Sequence, residues 1–173
     1  MRPIVDDDLG FVFRLYSAHE TNKYSSYDDL TSMEDARKTY ETYLKPGSSD
    51  HFRVAVELKA TDEAVGTLGF YNYSEDSKRA ELGYDLLIEH WGKGYMTEAV
   101  KALLDYGFLR LNLNRIEATV DPENQRSTRL LERVGFVREG CLRERFYYRG
   151  RYHDDLFFGM LRKEWLGVGP HNH

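Results

Sequence analysis

The sequence predicts one mixed α/β domain, with helices flanking a largely antiparallel sheet that contains a single parallel crossover. Three observations carry this reading. Strand-like alternation recurs at 52–58, 64–73, 82–88, 115–120, 136–147 and 152–161, while apolar residues take helical spacing at 9–16, 31–44, 97–111 and 124–134. The connections at 61–63 and 74–78 are short and polar, which suits antiparallel neighbours. A helix separates the strand at 82–88 from the one at 115–120, the kind of crossover that parallel strands require.

Taken in order, residues 2–5 form a stub of strand. Asp6, Asp7 and Asp8 are placed to cap a helix bearing Leu9, Val12, Phe13 and Tyr16. Residues 20–30 are polar and aromatic and read as a loop. Thr31 or Ser32 opens a second helix with Met33, Ala36, Tyr40, Tyr43 and Leu44 on its apolar side, and Ser32 with Asp35 makes a weak capping box. Pro46-Gly47-Ser48-Ser49 ends that unit. Two strands then lead into a third that carries Leu82, Tyr84, Leu86 and Ile88. After the crossover helix and the strand at 115–120, Asp121-Pro122 breaks the chain, and the helix at 124–134 closes on Gly135, a good C-terminal cap. The last two strands form a hairpin about Arg149-Gly150-Arg151. No repeat or low-complexity tract interrupts this order, so residues 1–166 are expected to be a single domain and 167–173 a disordered tail.

Size and composition bound the function. A chain of 173 residues supports one full core. No apolar run approaches the ~20 residues needed to span a membrane, and no secretory signal is visible. The single cysteine, Cys141, allows no internal disulfide and suits a reducing cytoplasm, which is the expected location. A net charge of −5 argues against nucleic acid as partner and is compatible with a cationic acceptor. Within residues 1–50, ten Asp and Glu stand against six Lys and Arg, an excess that reads as a solvated acidic face more readily than as a funnel for substrate. The histidines lack metal-ligand spacing, so no metal site is expected.

The chain is organised around residues 80–111. Here a strand passes through Trp91-Gly92-Lys93-Gly94-Tyr95-Met96 into a helix with Val100, Leu103, Leu104, Phe108 and Leu111 on one side. The first turn of a helix has unpaired N–H groups and a partial positive charge, and so can hold phosphate. Gly92 and Gly94 let an anion approach the backbone, and Lys93 adds a cation. Thr97 is the only capping side chain in view, and Val100 stands where a capping box needs Glu or Gln, so an external anion could take the place of a cap. A tight turn with incidental glycines fits the same residues. The dinucleotide-binding fingerprint and the P-loop both fit poorly, because Thr97 and Gly94 occupy positions where those motifs need other residues.

Through these stretches and those at 124–154, the sequence resembles the GNAT family of acetyltransferases over almost its whole length, most strongly at 81–165. The phosphate loop Trp91–Met96 matches the family pattern Q/R-x-x-G-x-G/A with departures at Trp91 and Met96. Followed by Thr97-Glu98-Ala99, it is similar to the Rim branch (RimJ/RimL-like), whose members acetylate the N-termini of ribosomal proteins. Asn124-Gln125-Arg126-Ser127, then Leu130-Leu131-Glu132-Arg133-Val134-Gly135-Phe136, then Glu139-Gly140 and Asp154 complete the match. The resemblance implies the GNAT fold and acetyl-CoA as co-substrate. In that fold a strand splayed from its parallel neighbour admits the pantetheine arm. The implied cofactor contacts are backbone near Leu86 and Leu87, the diphosphate on the N–H groups of Gly92, Lys93, Gly94, Tyr95, Met96 and Thr97, and further contacts from Trp91, Asn124 and Ser127.

Acetyl transfer to an amine needs a deprotonated amine, a donor for the developing oxyanion and a proton for the departing thiolate. Holding amine and thioester together supplies much of the rate. Glu81 is the candidate base. It equally fits a strand-end carboxylate paired with Arg79 or Lys78. Ser127 is the candidate acid, because Leu131 stands where many family members carry a tyrosine; helix-start hydrogen bonding fits it equally. Asn124 is the implied CoA-contacting asparagine or, alternatively, an N-cap. Cys141 reads as packing, since the family transfers acetyl directly to the amine. Tyr71, Tyr73, Tyr147 and Tyr148 are candidates for lining an acceptor cleft, and Glu144 is a reserve base. The expected activity is N-acetylation of a primary amine, with a peptide α-amine as acceptor. The alternatives are a small amine such as a polyamine or aminoglycoside, and a non-catalytic acyl-CoA-binding module. Neither a monomer nor a homo-oligomer is selected by the sequence.

Overall fold

The structure, a computed structural model, describes residues 1–25, 27–47 and 52–167. Its elements are β1 (Arg2–Pro3), α1 (Leu9–Ser17), α2 (His19–Asn22), α3 (Met33–Thr39), β2 (Phe52–Glu57), β3 (Ala64–Ser74), β4 (Arg79–Leu86), α4 (Tyr95–Asp105), β5 (Arg115–Val120), α5 (Gln125–Val134), β6 (Val137–Tyr148), β7 (Arg151–Leu161) and α6 (Arg162–Gly167). The strands form one seven-stranded sheet in the order β1-β2-β3-β4-β5-β7-β6. The mixed α/β class and the mostly antiparallel sheet are therefore as expected. The tail expected at 167–173 lies, apart from Gly167, outside the described residues. No described helix is long and apolar enough to cross a membrane.

The chain divides into two compact units, one of Met1–Asn72 and Leu82–Val100, the other of Tyr73–Glu81 and Lys101 onward. In the first unit β2 lies antiparallel to β1 and β3, with Arg2 opposite Ala55 and Phe52 opposite Phe70. Gly69 is required at that contact, because a Cβ there would lie 1.9 Å from the Phe52 carbonyl oxygen. The amphipathic stripe of α1 buries Val12, Leu15 and Tyr16 with Ile4, Ala36, Tyr40, Leu44, Ala55 and Leu87. Ser32 caps α3 by accepting the Asp35 N–H at 3.1 Å, and the helix closes with a π-type turn, Tyr40–Leu44.

Two expectations for this unit change. The aspartates at 6–8 form a separate single turn, and Asp8 does not cap α1. Its carboxylate turns back to accept the Val5 N–H at 2.9 Å and to pair with Arg2 at 2.7 Å. A full positive charge on Arg2 attracts the carboxylate more strongly than a helix terminus does. Residues 20–30 are not wholly loop, since α2 forms within them and buries Asn22, whose Nδ2 donates to the Tyr16 carbonyl at 2.6 Å.

In the second unit β4 runs parallel to β5, with Arg79, Ala80 and Glu81 opposite Arg115, Ile116 and Glu117. β7 is antiparallel to β5, from Leu161 opposite Arg115 to Leu156 opposite Val120. Because facing residues share a side of the sheet, one side carries Ala80, Ile116, Ala118, Val120, Leu156, Phe158 and Met160, all buried. The other side is charged: Arg79 donates to Glu117, and Arg115 bridges Glu117 and Glu139. Helix α5 is held at both ends. Asn124 caps its start, and Gly135 at φ +109° closes it, with the Phe136 and Gly135 N–H groups on the carbonyls of Leu131 and Glu132. α6 was not expected from the sequence; its Trp165 Nε1 donates to Asp105 at 2.8 Å.

Strand β6 is exposed almost throughout and carries register shifts near Arg138–Gly140 and Leu142–Phe146. This corrects the reading of Cys141 as a packing residue. Strand β6 is the sheet's outer strand, so Cys141 is exposed, with its Sγ 3.9 Å from the Asp154 carboxylate.

Candidate active site

In the first unit β4 ends at Leu86, and the chain turns through Ile88–His90 into Trp91 and the glycine loop. Gly92 and Gly94 adopt φ of +74° and +85°, conformations that cost a glycine little. A Cβ added at either would meet nothing within 4 Å, so no packing demand explains them and the space above the backbone is open. α4 begins at Tyr95, and Glu98 N–H to Gly94 carbonyl, at 3.1 Å, is its first full-turn bond. The amides of Tyr95, Met96 and Thr97 precede that bond and are the ones a bound anion could engage. Thr97 lies within the first turn and not at the cap, which Gly94 occupies. Met96 is buried and anchors the helix start, whereas Lys93 is exposed. Together these features leave an open turn whose amides could engage a diphosphate.

The flanking residues are already engaged. The Trp91 indole donates to the Leu86 carbonyl at 2.7 Å and so ties the strand end to the loop. Leu87 donates its N–H to Val65 at 2.9 Å and buries its side chain in the core. A contact from these two residues to a ligand would thus use the second lone pair of Leu86 or the Leu87 carbonyl. His90, buried beside the loop, packs near Tyr95 at 6.1 Å between ring centres and has no hydrogen-bond partner for Nδ1.

In the second unit Glu81 is only 8% exposed and accepts a hydrogen bond from Thr119 Oγ1 at 3.0 Å. Arg79 goes to Glu117 at 2.6 Å instead of pairing with Glu81. At Glu117 burial opposes the charge, but hydrogen bonds from Arg115 and Arg79 outweigh it and hold the carboxyl below its usual range. Asn124 acts as the N-cap, its side-chain oxygen accepting the Ser127 N–H at 3.1 Å. Ser127 is half-buried at the start of α5, and Leu131, one turn on, is fully buried in the core.

The remaining candidates scatter. Tyr71 packs over Gly83, where a Cβ would lie 2.9 Å from its ring. Tyr73 is exposed. Tyr147 stacks edge-on with Tyr152 at 5.1 Å, and Tyr148 lies against His153 and Arg149, so both have partners inside the terminal hairpin. Glu144 is exposed at φ +51°, with its N–H on Asp154 at 2.8 Å.

Two groupings escaped the sequence reading. In the first unit Arg53 pairs with Asp85, which also accepts from Tyr27 at 2.8 Å and Tyr16 at 3.3 Å, while Arg53 Nε donates to Thr67 at 3.0 Å. Burial pushes the Tyr16 hydroxyl up to about 12, which keeps it a donor. In the second unit Thr119 and Asp155 join Glu81 on the charged face. Polar residues in alternating strands look solvent-facing, and only the tertiary structure reveals that Thr67, Glu81 and Asp155 are buried.

A family model described as an acetyltransferase (GNAT) domain matches residues 1–137. The chain is 39% identical over 170 residues to "Uncharacterized N-acetyltransferase p20" of Bacillus licheniformis, covering 96% of this chain and 94% of that one. It is 35% identical over 153 residues to "Putative ribosomal N-acetyltransferase YdaF" of Bacillus subtilis, covering 88% and 79%. The crystal structure of spermidine N-acetyltransferase from Vibrio cholerae in complex with CoA and spermine superposes with a TM-score of 0.84 at 28% identity, over 95% and 96% of the two chains. The chain belongs to the GNAT family of acetyltransferases. It is an acetyl-CoA-dependent N-acetyltransferase.

Proposed function

We propose that this enzyme acetylates a peptide α-amine, in the manner of the Rim branch, with Glu81 as base and Ser127 as acid. The observation that carries the assignment of roles is Glu81 itself. It is a carboxylate almost wholly withdrawn from solvent, oriented by the Thr119 hydroxyl at 3.0 Å, with the neighbouring Arg79 committed to Glu117. A buried carboxylate oriented by a hydroxyl suits removal of a proton from an ammonium, which has no lone pair until the proton leaves. Ser127, whose N–H is fixed by Asn124, can offer its hydroxyl to a departing thiolate. The backbone of Gly92–Thr97 would hold the diphosphate of acetyl-CoA, with Trp91 fixing Leu86 and Lys93 supplying charge; Leu86, Leu87 and Asn124 would contact the rest of the carrier. The carrier supplies the activated acetyl group.

The Trp91–Ala99 stretch and the 35% identity to a protein named as a ribosomal N-acetyltransferase support the peptide acceptor. A second reading, a polyamine acceptor, is favoured by the likeness in fold to an enzyme crystallised with spermine. Labelled acetyl-CoA offered with ribosomal-protein N-terminal peptides, spermidine and spermine in parallel separates the two. Transfer to peptides at a higher kcat/KM supports the first reading, and preference for the polyamines overturns it.

A further inference from the structure

The charged face of the second unit is ion-paired at one end, and at the other a single carboxylate oxygen, on Asp155, has no hydrogen-bond partner. Around Arg79, Arg115, Glu117 and Glu139, two guanidinium groups serve two carboxylates. Further along the same face stand Glu81 on β4, Asp121 just beyond β5 and Asp155 on β7. Asp155 is only 7% exposed, and its Oδ2 has no hydrogen-bond partner. The cation facing that oxygen is Arg145 of β6, whose Nε stands off at 3.6 Å, too far for a hydrogen bond. Arg145 is held instead over the rings of Phe157 and Phe146, at 5.0 and 5.4 Å. His153 of β7, the other basic group here, makes its contact with Asp121 at 3.3 Å.

We propose that Asp155 is a second proton-handling carboxyl of the reaction, a positioning residue that takes over the proton the acceptor ammonium surrenders to Glu81. The proposal rests on the reading of Glu81 as base. The ammonium gives its proton to the Glu81 carboxylate and becomes a neutral amine with a lone pair. The resulting Glu81 acid passes that proton through an intervening water to the Asp155 carboxylate, regaining its own charge, and Asp155 later releases the proton to solvent. No bond between heavy atoms changes in either transfer. An orphaned buried carboxylate oxygen on the same sheet face as a second carboxylate, which Thr119 of the intervening strand holds at 3.0 Å, is a place for such a proton or for a water that conducts it. Burial raises the Asp155 carboxyl to about 6; Arg145 opposes this, Glu81 and Asp121 reinforce it, and His153 opposes it weakly. A carboxyl in that range is ionised at neutral pH yet retains a proton better than an ordinary one, as a relay near working pH requires.

The first test needs no turnover. Carbon-13 carboxyl NMR of aspartate-labelled protein should show one resonance titrating near pH 6, absent from Asp155→Asn and shifted towards the ordinary carboxylate range in Glu81→Gln. The second is turnover from pH 5 to 9 at saturating acetyl-CoA, with spermidine or a ribosomal-protein N-terminal peptide, whichever the wild type acetylates faster. Asp155→Asn should lower kcat on the order of tenfold and remove the rise near pH 6, below the ~100-fold or greater loss expected of the direct base. Asp155→Glu should restore part of both, and acetyl-CoA affinity should not change. An aspartate spectrum indifferent to Glu81→Gln overturns the proposal. So does an Asp155→Asn enzyme with the wild-type profile, or one slowed equally at every pH and not rescued by glutamate. Full turnover in Glu81→Gln would instead remove Glu81 as base, with the carboxyl titration still reporting whether the two groups are coupled.

Discussion

Replacing Gly94 by aspartate tests the phosphate cradle most directly. Gly94 sits at φ +85° with nothing within 4 Å of the point where a Cβ would stand, so a side chain there strains the backbone but collides with nothing. The strain is worth about 1–2 kcal/mol, a modest part of the typical ~5–15 kcal/mol that holds a domain together. The melting temperature should fall by only a few degrees. The effect on binding should be far larger. A carboxylate about 5 Å from one phosphate charge, at an effective dielectric of about 20, repels it by about 3 kcal/mol, which corresponds to roughly a hundredfold in affinity. Titration calorimetry with acetyl-CoA measures it, with two variants as controls. Gly94→Ala carries the strain without the charge, so it should lower the melting temperature similarly while keeping most of the acetyl-CoA affinity. Gly150→Ala, at φ +77° in the hairpin turn with equally open surroundings, carries similar strain and should bind acetyl-CoA normally. If Gly94→Asp binds acetyl-CoA like the wild type, the diphosphate does not lie on this loop.

Four further outcomes follow from the same geometry. Ser127→Ala should lower kcat while leaving acetyl-CoA affinity nearly intact, because the N-cap bond from its own N–H to Asn124 survives; unchanged turnover removes the hydroxyl from the mechanism. Asp85→Asn leaves the largely buried Arg53 without its counter-charge and should cost about 3–5 kcal/mol in denaturant melts; a loss under 1 kcal/mol would show that Arg53 does not depend on Asp85 for its charge balance. Gly69→Ala drives a methyl to 1.9 Å from the Phe52 carbonyl and should prevent native β2–β3 pairing, seen as loss of soluble folded protein. Stability should also depend on pH in two opposing ways. Asp8, held low by its hydrogen bonds from Arg2, stabilises the fold at neutral pH and loses that contribution as pH falls through its folded value. Asp155, raised from 3.8 to about 6, binds its proton more tightly when folded, so its contribution diminishes as pH rises between those values. Asp155→Asn should therefore gain about 1–3 kcal/mol relative to wild type at pH 8, and little at pH 4, in urea melts.

Much of this enzyme was legible in its residues. Local periodicity located every long strand, because alternation and helical spacing are properties of neighbouring residues and survive whatever the chain packs against. Gly135 announced the end of α5, since a left-handed residue there is strongly favoured by lacking a Cβ. Gly92 and Gly94 marked the loop before α4 for the same reason. The family match extended that reading to acetyl-CoA. Local rules failed where a distant charge outbid them: Asp8 faces Arg2 and not the helix it precedes. They failed again at Cys141, because whether a strand is central or outermost depends on which strands flank it.

The sequence by itself determined the order of elements, the two left-handed glycines at a helix start and, through its motifs, the chemistry of the donor. These follow from short-range sterics and hydrogen-bonding capacity, which a few adjacent residues specify. Only the tertiary structure decided the partners of the charged groups. Arg79 is drawn to Glu117, Glu81 is held by Thr119, Arg53 is buried against Asp85, and Asp155 keeps an oxygen without a donor. Such pairings bring together residues up to dozens of positions apart, and burial sets the strength of each charge. Neither quantity is written in any local stretch of chain.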